Sequence, residues 1–332
     1  MVRGPPTARS ARPRRAFGKV LAAAAAMLAI TCFAWAQQPP TSGPPPAADL
    51  QAALAKADAG APGDLVKLAD SGRADAQVYA GLLYISGRGG VARDPAKGCA
   101  YVDKAAASRG DAAYLSGECW RQGLTGKADP VKAEAAYSRA SAMGYTKAKC
   151  ALGRMLMGEP AQAARGLGLC KEAAVAGDSS AGVAVADAYF NGRGAPKDRA
   201  EARSWYEKAA AQNNPQAARR LGEMYAAGDG GKRDTKKAVD LWRQAEKAGD
   251  PLSAILVADQ LFSDITGGKK PGPGTFAFKG GVPVQDIEVV ESWYREALDR
   301  DPRPDVKQRA KYAIQVLNSF KTAAQTTPKV EK

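Results

Sequence analysis

Small and apolar residues recur along this chain in short helical stripes separated by glycine-bearing turns, and the stripes return at a fixed interval. Two stretches, 178–213 and 214–249, are one unit written twice: Ala181 and Ala217, Tyr189 and Tyr225, Gly192 and Gly228, Asp198 and Asp234, and Ala209 and Ala245 each stand 36 residues apart. A constant period of this size marks a stacked repeat array. The period extends both ways. An aromatic landmark falls at Tyr84, Trp120, Tyr189 and Tyr225, with Leu156 and Leu261 in the units that lack it, in steps of 36, 36, 33, 36 and 36 residues. A column of small residues (Gly81, Gly117, Gly153, Ala186, Gly222, Ala258) keeps the same phase, as does an alanine column (Ala76, Ala112, Ala148, Ala181, Ala217, then Ser253), giving six units.

Each unit predicts two helices. The first carries small and apolar residues at helical spacing and ends at Tyr-x-x-Gly (Tyr84 to Gly87, Tyr189 to Gly192, Tyr225 to Gly228), where the glycine suits the left-handed residue that closes a helix. An aspartate follows at Asp94, Asp129, Asp198, Asp234 and Asp286, each placed to cap a second helix through its free N–H groups. Pro95 and Pro130 come directly after, at a first helical position that tolerates proline. The second helix carries aromatics and paired small residues, as in Trp205, Tyr206, Ala209 and Ala210. A lone helix pair cannot bury such a stripe, so neighbours stack.

The pattern Ala-x-x-x-x-Gly-x-x-Tyr-x-x-Gly-x-Gly, a capping Asp, then Ala-x-x-Trp-x-x-x-Ala-Ala resembles the Sel-one-like repeat family, a relative of the tetratricopeptide repeats with a slightly longer unit. The match covers about residues 74 to 299 and is most specific in units four and five. Unit three departs from it, with Glu159 in place of the glycine and no capping aspartate, and unit six is split by an insertion. The resemblance implies an all-α fold, a right-handed α-solenoid of about six stacked helix-turn-helix repeats with capping helices. It also implies a scaffold for other proteins, with many bacterial members working in the envelope.

The segments outside the repeats set the expected organisation. Residues 1–36 read as a signal peptide: a basic stretch free of acidic residues, an apolar run from Val20 to Phe33, then Ala34-Trp35-Ala36 as the cleavage site. An uncleaved anchor and a lipoprotein reading through Cys32 stay open, and Arg14-Arg15 resembles a twin-arginine signal. Residues 37–47 form a Pro-rich linker, 48–72 N-terminal capping helices, and 73–299 the six repeats, with an insertion at 264–285. Residues 300–321 hold a C-terminal capping helix with Val306, Tyr312, Ile314, Leu317 and Phe320 apolar, and 322–332 form a flexible tail. Cleavage places the protein in the periplasm or outside the cell, with no stable membrane span left.

Charge changes little in this picture. The leader holds six of the 48 Lys and Arg residues and none of the 34 Asp and Glu, so the net charge of +14 falls to +8 in the mature chain. No basic run is interleaved with aromatics in the way nucleic-acid binding needs.

Candidate chemistry is sparse. The chain has no histidine, which removes Ser-His-Asp and Cys-His nucleophiles and histidine metal sites. The Gly-x-Gly turns follow helices, not strands, and read as helix closure rather than phosphate loops. No catalytic, cofactor or metal residue is expected. Four cysteines remain after cleavage, and three pairings are open. Distance from the intervening turns favours Cys99 with Cys119 and Cys150 with Cys170, against four free core thiols. Two groups are expected at a partner surface. One is a polar column on the first helices (Glu118, Arg154, Asp187, Glu223 and Asp259), which the tetratricopeptide-like resemblance puts on the concave side and which also reads as an ordinary solvated face. The other is the pair Phe276 and Phe278 in the insertion. The expected function is an envelope scaffold or adaptor for a protein or peptide. An envelope hydrolase and an anionic polysaccharide binder remain as alternatives.

Overall fold

The computed structural model describes residues 47–268 and 282–326. The leader, the linker up to residue 46, and Phe276 and Phe278 lie outside the described residues. Among the described residues the regular structure is helical throughout, in 15 helices. They fall into two compact units, the first ending at Tyr145 and the second beginning at Thr146.

In the first unit, α1 (Ala48–Asp58) and α2 (Gly63–Asp70) precede two helix pairs, α3 (Ala74–Ser86) with α4 (Pro95–Ala105) and α5 (Gly110–Gln122) with α6 (Pro130–Ala142). The second unit holds α7 (Thr146–Leu156) with α8 (Ala163–Val175), α9 (Ser179–Asn191) with α10 (Arg199–Ala211), and α11 (Pro215–Ala227) with α12 (Thr235–Lys247). It continues with α13 (Ser253–Thr266) paired to α14 (Val284–Arg300) and ends on α15 (Pro304–Thr326). The helix pairs are the six repeats, and each first helix packs most heavily on its own second helix.

One residue does two jobs at the turn inside four of these pairs. The backbone N–H of Asp94, Asp129, Asp198 and Asp234 donates to the carbonyl of Tyr84, Trp120, Tyr189 and Tyr225 at 2.8–2.9 Å. The side chain of the same aspartate accepts from the backbone N–H of Lys97, Lys132, Glu201 and Lys237 at 2.9–3.0 Å. The aspartate thus satisfies an orphan carbonyl of the first helix and an orphan N–H of the second, a cap worth about 1 kcal/mol. The Gly-x-Gly turn has an equally local cause. Gly228 closes α11 in the left-handed region (φ 81°). Gly230 (φ 70°) lies so close to the preceding repeat that a Cβ there would come within 2.3 Å of the Arg199 carbonyl oxygen.

The third repeat lacks this device. Gln162 precedes α8 and makes no side-chain cap. Its helices meet backbone to backbone, as Gly81 and Gly98 do in the first repeat: a Cβ on Gly153 would stand 2.5 Å from the Gly166 carbonyl oxygen and one on Gly166 2.4 Å from that of Gly153. Beside this contact Cys150 and Cys170 are bonded, with Cα atoms 4.1 Å apart. Cys99 and Cys119 are bonded as well, with Cα atoms 6.0 Å apart. The first bridge joins the two helices of one repeat, whereas the second ties α4 to the first helix of the next repeat. All four cysteines are buried.

Each unit has its own core. Leu50, Ala53, Ala57, Leu65 and Ala69 of α1 and α2 cover Ala76, Ala80 and Tyr101 of the first repeat, which is how a terminal cap buries an otherwise exposed stripe. At the other end α15 lays Val306, Ala310, Ala313 and Leu317 against Ile287, Val290, Tyr294 and Ala297.

Four expectations change. Asp286 caps no helix: α14 starts at Val284 behind Pro283, which leaves Asp286 in the first turn, where it meets the positive end of the helix dipole. The insertion is shorter than 264–285, because α13 runs on through Thr266 to close at Gly267 and α14 already contains Val284 and Gln285. The final helix continues past Lys321 into the stretch expected to be a tail. Ala323, Ala324 and Gln325 favour helix. Its buried stripe is also completed by Ala310 and Ala313, while Tyr312, Ile314 and Phe320 are only partly covered.

Candidate functional site

The polar column falls on one position of successive first helices: Leu82 on α3, Glu118 on α5, Arg154 on α7, Asp187 on α9, Glu223 on α11 and Asp259 on α13. Most of its carboxylates have an internal task that the sequence reading missed. The Tyr137 hydroxyl donates to Glu118 at 2.5 Å, that of Tyr206 to Asp187, and that of Tyr294 to Asp259 at 3.0 Å. Each tyrosine comes from the second helix of the same repeat and is buried to its ring. A buried phenol needs an acceptor, and the column supplies it. Burial first, and then the carboxylate beside it, push all three phenols well above their ordinary pKa.

The repeats without this pair show why the position varies. In the first repeat Leu82 cannot accept, and the Tyr101 hydroxyl turns to Asp70 of α2 at 2.7 Å. In the fifth the tyrosine is replaced by Trp242, whose indole N–H donates to the Arg219 carbonyl at 3.1 Å. Glu223 is thereby released to Arg219 and Arg220, both at 3.0 Å. In the third repeat the tyrosine position holds Cys170, which is spent on the disulfide. No phenol there needs an acceptor, and the column residue is Arg154. A cue existed in the sequence: Glu118 to Tyr137 and Asp187 to Tyr206 share a separation of 19 residues.

Arginines pair with Glu118, Glu223 and Asp259, and at each acid one of them (Arg121, Arg220 or Arg309) stands further out, whereas Arg219 is more buried than Glu223. Arg121 pairs with Glu118 at 2.5 Å. Burial alone would raise the Glu118 carboxyl, but Arg121 and Tyr137 outweigh it and hold the group below its usual value. Arg309 of α15 pairs with Asp259 at 3.3 Å, its side chain 39% exposed against 19% for the aspartate. Arg220 is 46% exposed against 34% for Glu223. Arg154 is exposed, donates one N–H to the Ser180 carbonyl at 3.1 Å, and has no carboxylate partner among the described residues.

Two open depressions lie elsewhere in the second unit. One of about 710 Å³ is lined by Asn213, Asp240, Arg243, Gln244, Lys247 and Ala248. The other, of about 390 Å³, is lined by Arg233, Thr235, Gln260, Ser263, Asp264 and Gly268. Among the described residues no group of His, Cys, Asp and Glu is placed to hold a metal ion, and no helix is long and apolar enough to cross a membrane.

The Sel1 repeat family matches residues 74–108, 110–145, 180–214 and 215–250. These are the four repeats whose aspartate bridges the turn. The two passed over are the one lacking that aspartate and the one split by the long segment before α14. Among solved structures, the chain is similar to a Sel1 repeat protein from Oxalobacter formigenes, with 21% identity over 83% of this chain and 98% of that one and a TM-score of 0.58. It is also similar to a protective antigen of uropathogenic Escherichia coli displaying an SLR fold, with 22% identity over 77% of this chain and a TM-score of 0.49. The chain spans only 56% of the length of that antigen. At 21% identity the likeness to the Oxalobacter formigenes protein is one of fold. No curated protein matches the chain.

Proposed function

The chain is a Sel1-repeat protein, and on that premise we propose that it is an exported interaction scaffold, an adaptor that binds a protein or peptide in the bacterial cell envelope. Sel1 repeats mediate protein–protein interaction, and the observation that carries the reading here is the first-helix face within each unit. It combines a framework fixed from within by tyrosine–carboxylate bonds with outward arginines, so the surface is rigid where a partner would meet it. A pre-organised face loses little entropy on binding. Glu118 within the first unit, and Arg154, Asp187, Glu223 and Asp259 within the second, are therefore the partner-facing positions, with Arg121, Arg220 and Arg309 more exposed than the acids they hold. On sequence grounds Phe276 and Phe278 are assigned as a second contact, since buried aromatics dominate many interfaces.

Two observations support the envelope. Both cysteine pairs stand at bonding distance within the fold, and such bridges persist in oxidising compartments. The leader has the basic, apolar and small-residue order of an export signal.

Affinity capture from envelope extract with the mature chain as bait is expected to recover a defined protein partner, lost when the polar column is replaced. Recovery of none, together with turnover of cell-wall or β-lactam substrates by the purified chain, would refute the scaffold. N-terminal sequencing of the protein from periplasm should begin at Gln37. An intact leader in the membrane fraction would mean a retained anchor.

A further inference from the structure

We infer that the first-helix face of the second unit, centred on Arg154 and Arg220, receives an acidic polypeptide segment. The inference rests on the scaffold reading and names the chemistry of the partner.

The column explains which of its positions are free for a partner. Where a second helix presents a buried tyrosine, the column residue is an acceptor tied into the fold, as Asp187 and Asp259 are. Arg154 is the position from which that demand has been lifted, because Cys170 stands where the other repeats carry tyrosine or tryptophan and is bonded to Cys150. An exposed arginine there contributes nothing to the tyrosine network. Its single bond to the Ser180 carbonyl orients the guanidinium toward α9 and leaves most of its five donors open. On the other side of α9, Arg220 reaches the field of Asp187 and Tyr206 and is held by Glu223. Between the two arginines α9 presents Ser180, which is exposed, and Asp187, which is partly covered, with Ala184 buried between them, short side chains that let a main chain approach.

Arginine at both ends of this line favours carboxylates, since the planar guanidinium fork takes a carboxylate through two parallel bonds. The recessed acids decide which kind of acidic ligand fits. Asp187, Glu223 and Asp259 repel a uniform polyanion such as a sulfated polysaccharide. A polypeptide can instead place its widely spaced carboxylates at the arginines and its uncharged peptide units beside these acids. Alternating sign therefore selects a peptide with intermittent Asp or Glu over a continuous polyanion.

The test uses the whole mature chain and three fluorescein-labelled probes, read by anisotropy at low and physiological salt: a twelve-residue peptide alternating Glu with Ala and Ser, its Gln analogue, and dextran sulfate. The Glu peptide is expected to bind and the Gln analogue to bind far more weakly. Arg154→Gln and Arg220→Gln should each weaken the Glu peptide roughly fivefold, with the double variant beyond tenfold. Arg154→Lys, which keeps the charge but loses the fork, should fall between. Arg165→Gln removes an exposed arginine from α8 and should have no effect. Unchanged helical content and melting in each variant show that the fold is intact. No binding of the Glu peptide, equal loss with Arg165→Gln, or tighter binding of dextran sulfate that ignores Arg154→Gln would each overturn the inference. Repeating the envelope capture with the Arg154→Gln/Arg220→Gln chain separates the two claims. A partner still captured leaves the scaffold standing and removes the acidic-segment inference. No partner captured by the unaltered chain, with the Glu peptide bound, removes the scaffold and keeps the chemistry of this face.

Discussion

Asp187 is where the internal and external roles of the column make opposite predictions. Asp187→Ala removes the acceptor of the Tyr206 hydroxyl, on a side chain that is 2% exposed. A buried hydroxyl left without a partner costs about 1–3 kcal/mol. Alanine recovers about 0.5 kcal/mol through its better helix propensity, so the net loss is about 1.5 kcal/mol. With a urea m-value of about 3 kcal/mol/M, unfolding should move down by roughly 0.5 M. Tyr206→Phe breaks the same bond but leaves a half-exposed carboxylate that water can reach, so its loss should be smaller, about 1 kcal/mol. The double variant should fall short of the sum by about 1 kcal/mol, since both changes delete one interaction. Glu223→Ala is the comparator. It sits at the equivalent place but accepts from exposed Arg220 and from Arg219, which keeps Asp250 as a second partner, rather than from a phenol, and should stay within about 0.5 kcal/mol. Urea unfolding followed by far-ultraviolet circular dichroism measures all four. If Asp187→Ala unfolds no earlier than Glu223→Ala, the tyrosine bond carries no weight and the column is a plain solvated face.

Other outcomes follow from the same geometry. Gly230→Ala should cost about 2–4 kcal/mol, from left-handed strain plus the approach to the Arg199 carbonyl. Gly168→Ala, in α8 with nothing within 4 Å of the added methyl, should stabilise by about 0.5–1 kcal/mol, and thermal melts of the pair decide both. Mass mapping should find Cys99 linked to Cys119 and Cys150 to Cys170 with no free thiol. Removing either bridge should cost about 3 kcal/mol for a loop of this size, and a Cys119–Cys150 link would overturn the pairing. The alkaline limit follows from the phenols. Burial and then the Asp70 carboxylate push Tyr101 up to about 12, and Tyr137, Tyr206 and Tyr294 are raised as well. A raised phenol favours the neutral folded form, so its contribution is complete below the unfolded value of about 10 and is lost as pH rises through the folded values. Titrated alongside circular dichroism, these four of the 11 tyrosines should ionise only as helix is lost. Ionisation of all of them near pH 10 with helices intact would contradict their burial.

The sequence by itself determined what depends on neighbours along the chain. A left-handed glycine, a capping aspartate and a helical stripe each act within one or two turns of backbone, so the 36-residue period was enough to place the repeats, the turns and most helix ends. The same locality explains the misplaced Asp286: its cap was inferred by analogy with the other repeats, and Pro283 had already started the helix. The bonded cysteine pairs were legible to the extent that antiparallel helices level residues equidistant from a turn. Only the tertiary structure decided what the polar column does. Whether a carboxylate on a helix faces water or a buried phenol depends on the partner helix, and Asp259 and Tyr294 meet across 35 residues. It also decided that Arg154 stands apart, because the reason lies in Cys170 on another helix. Burial sets the cost of an unpaired polar group, and burial belongs to the packed repeats rather than to any stretch of chain.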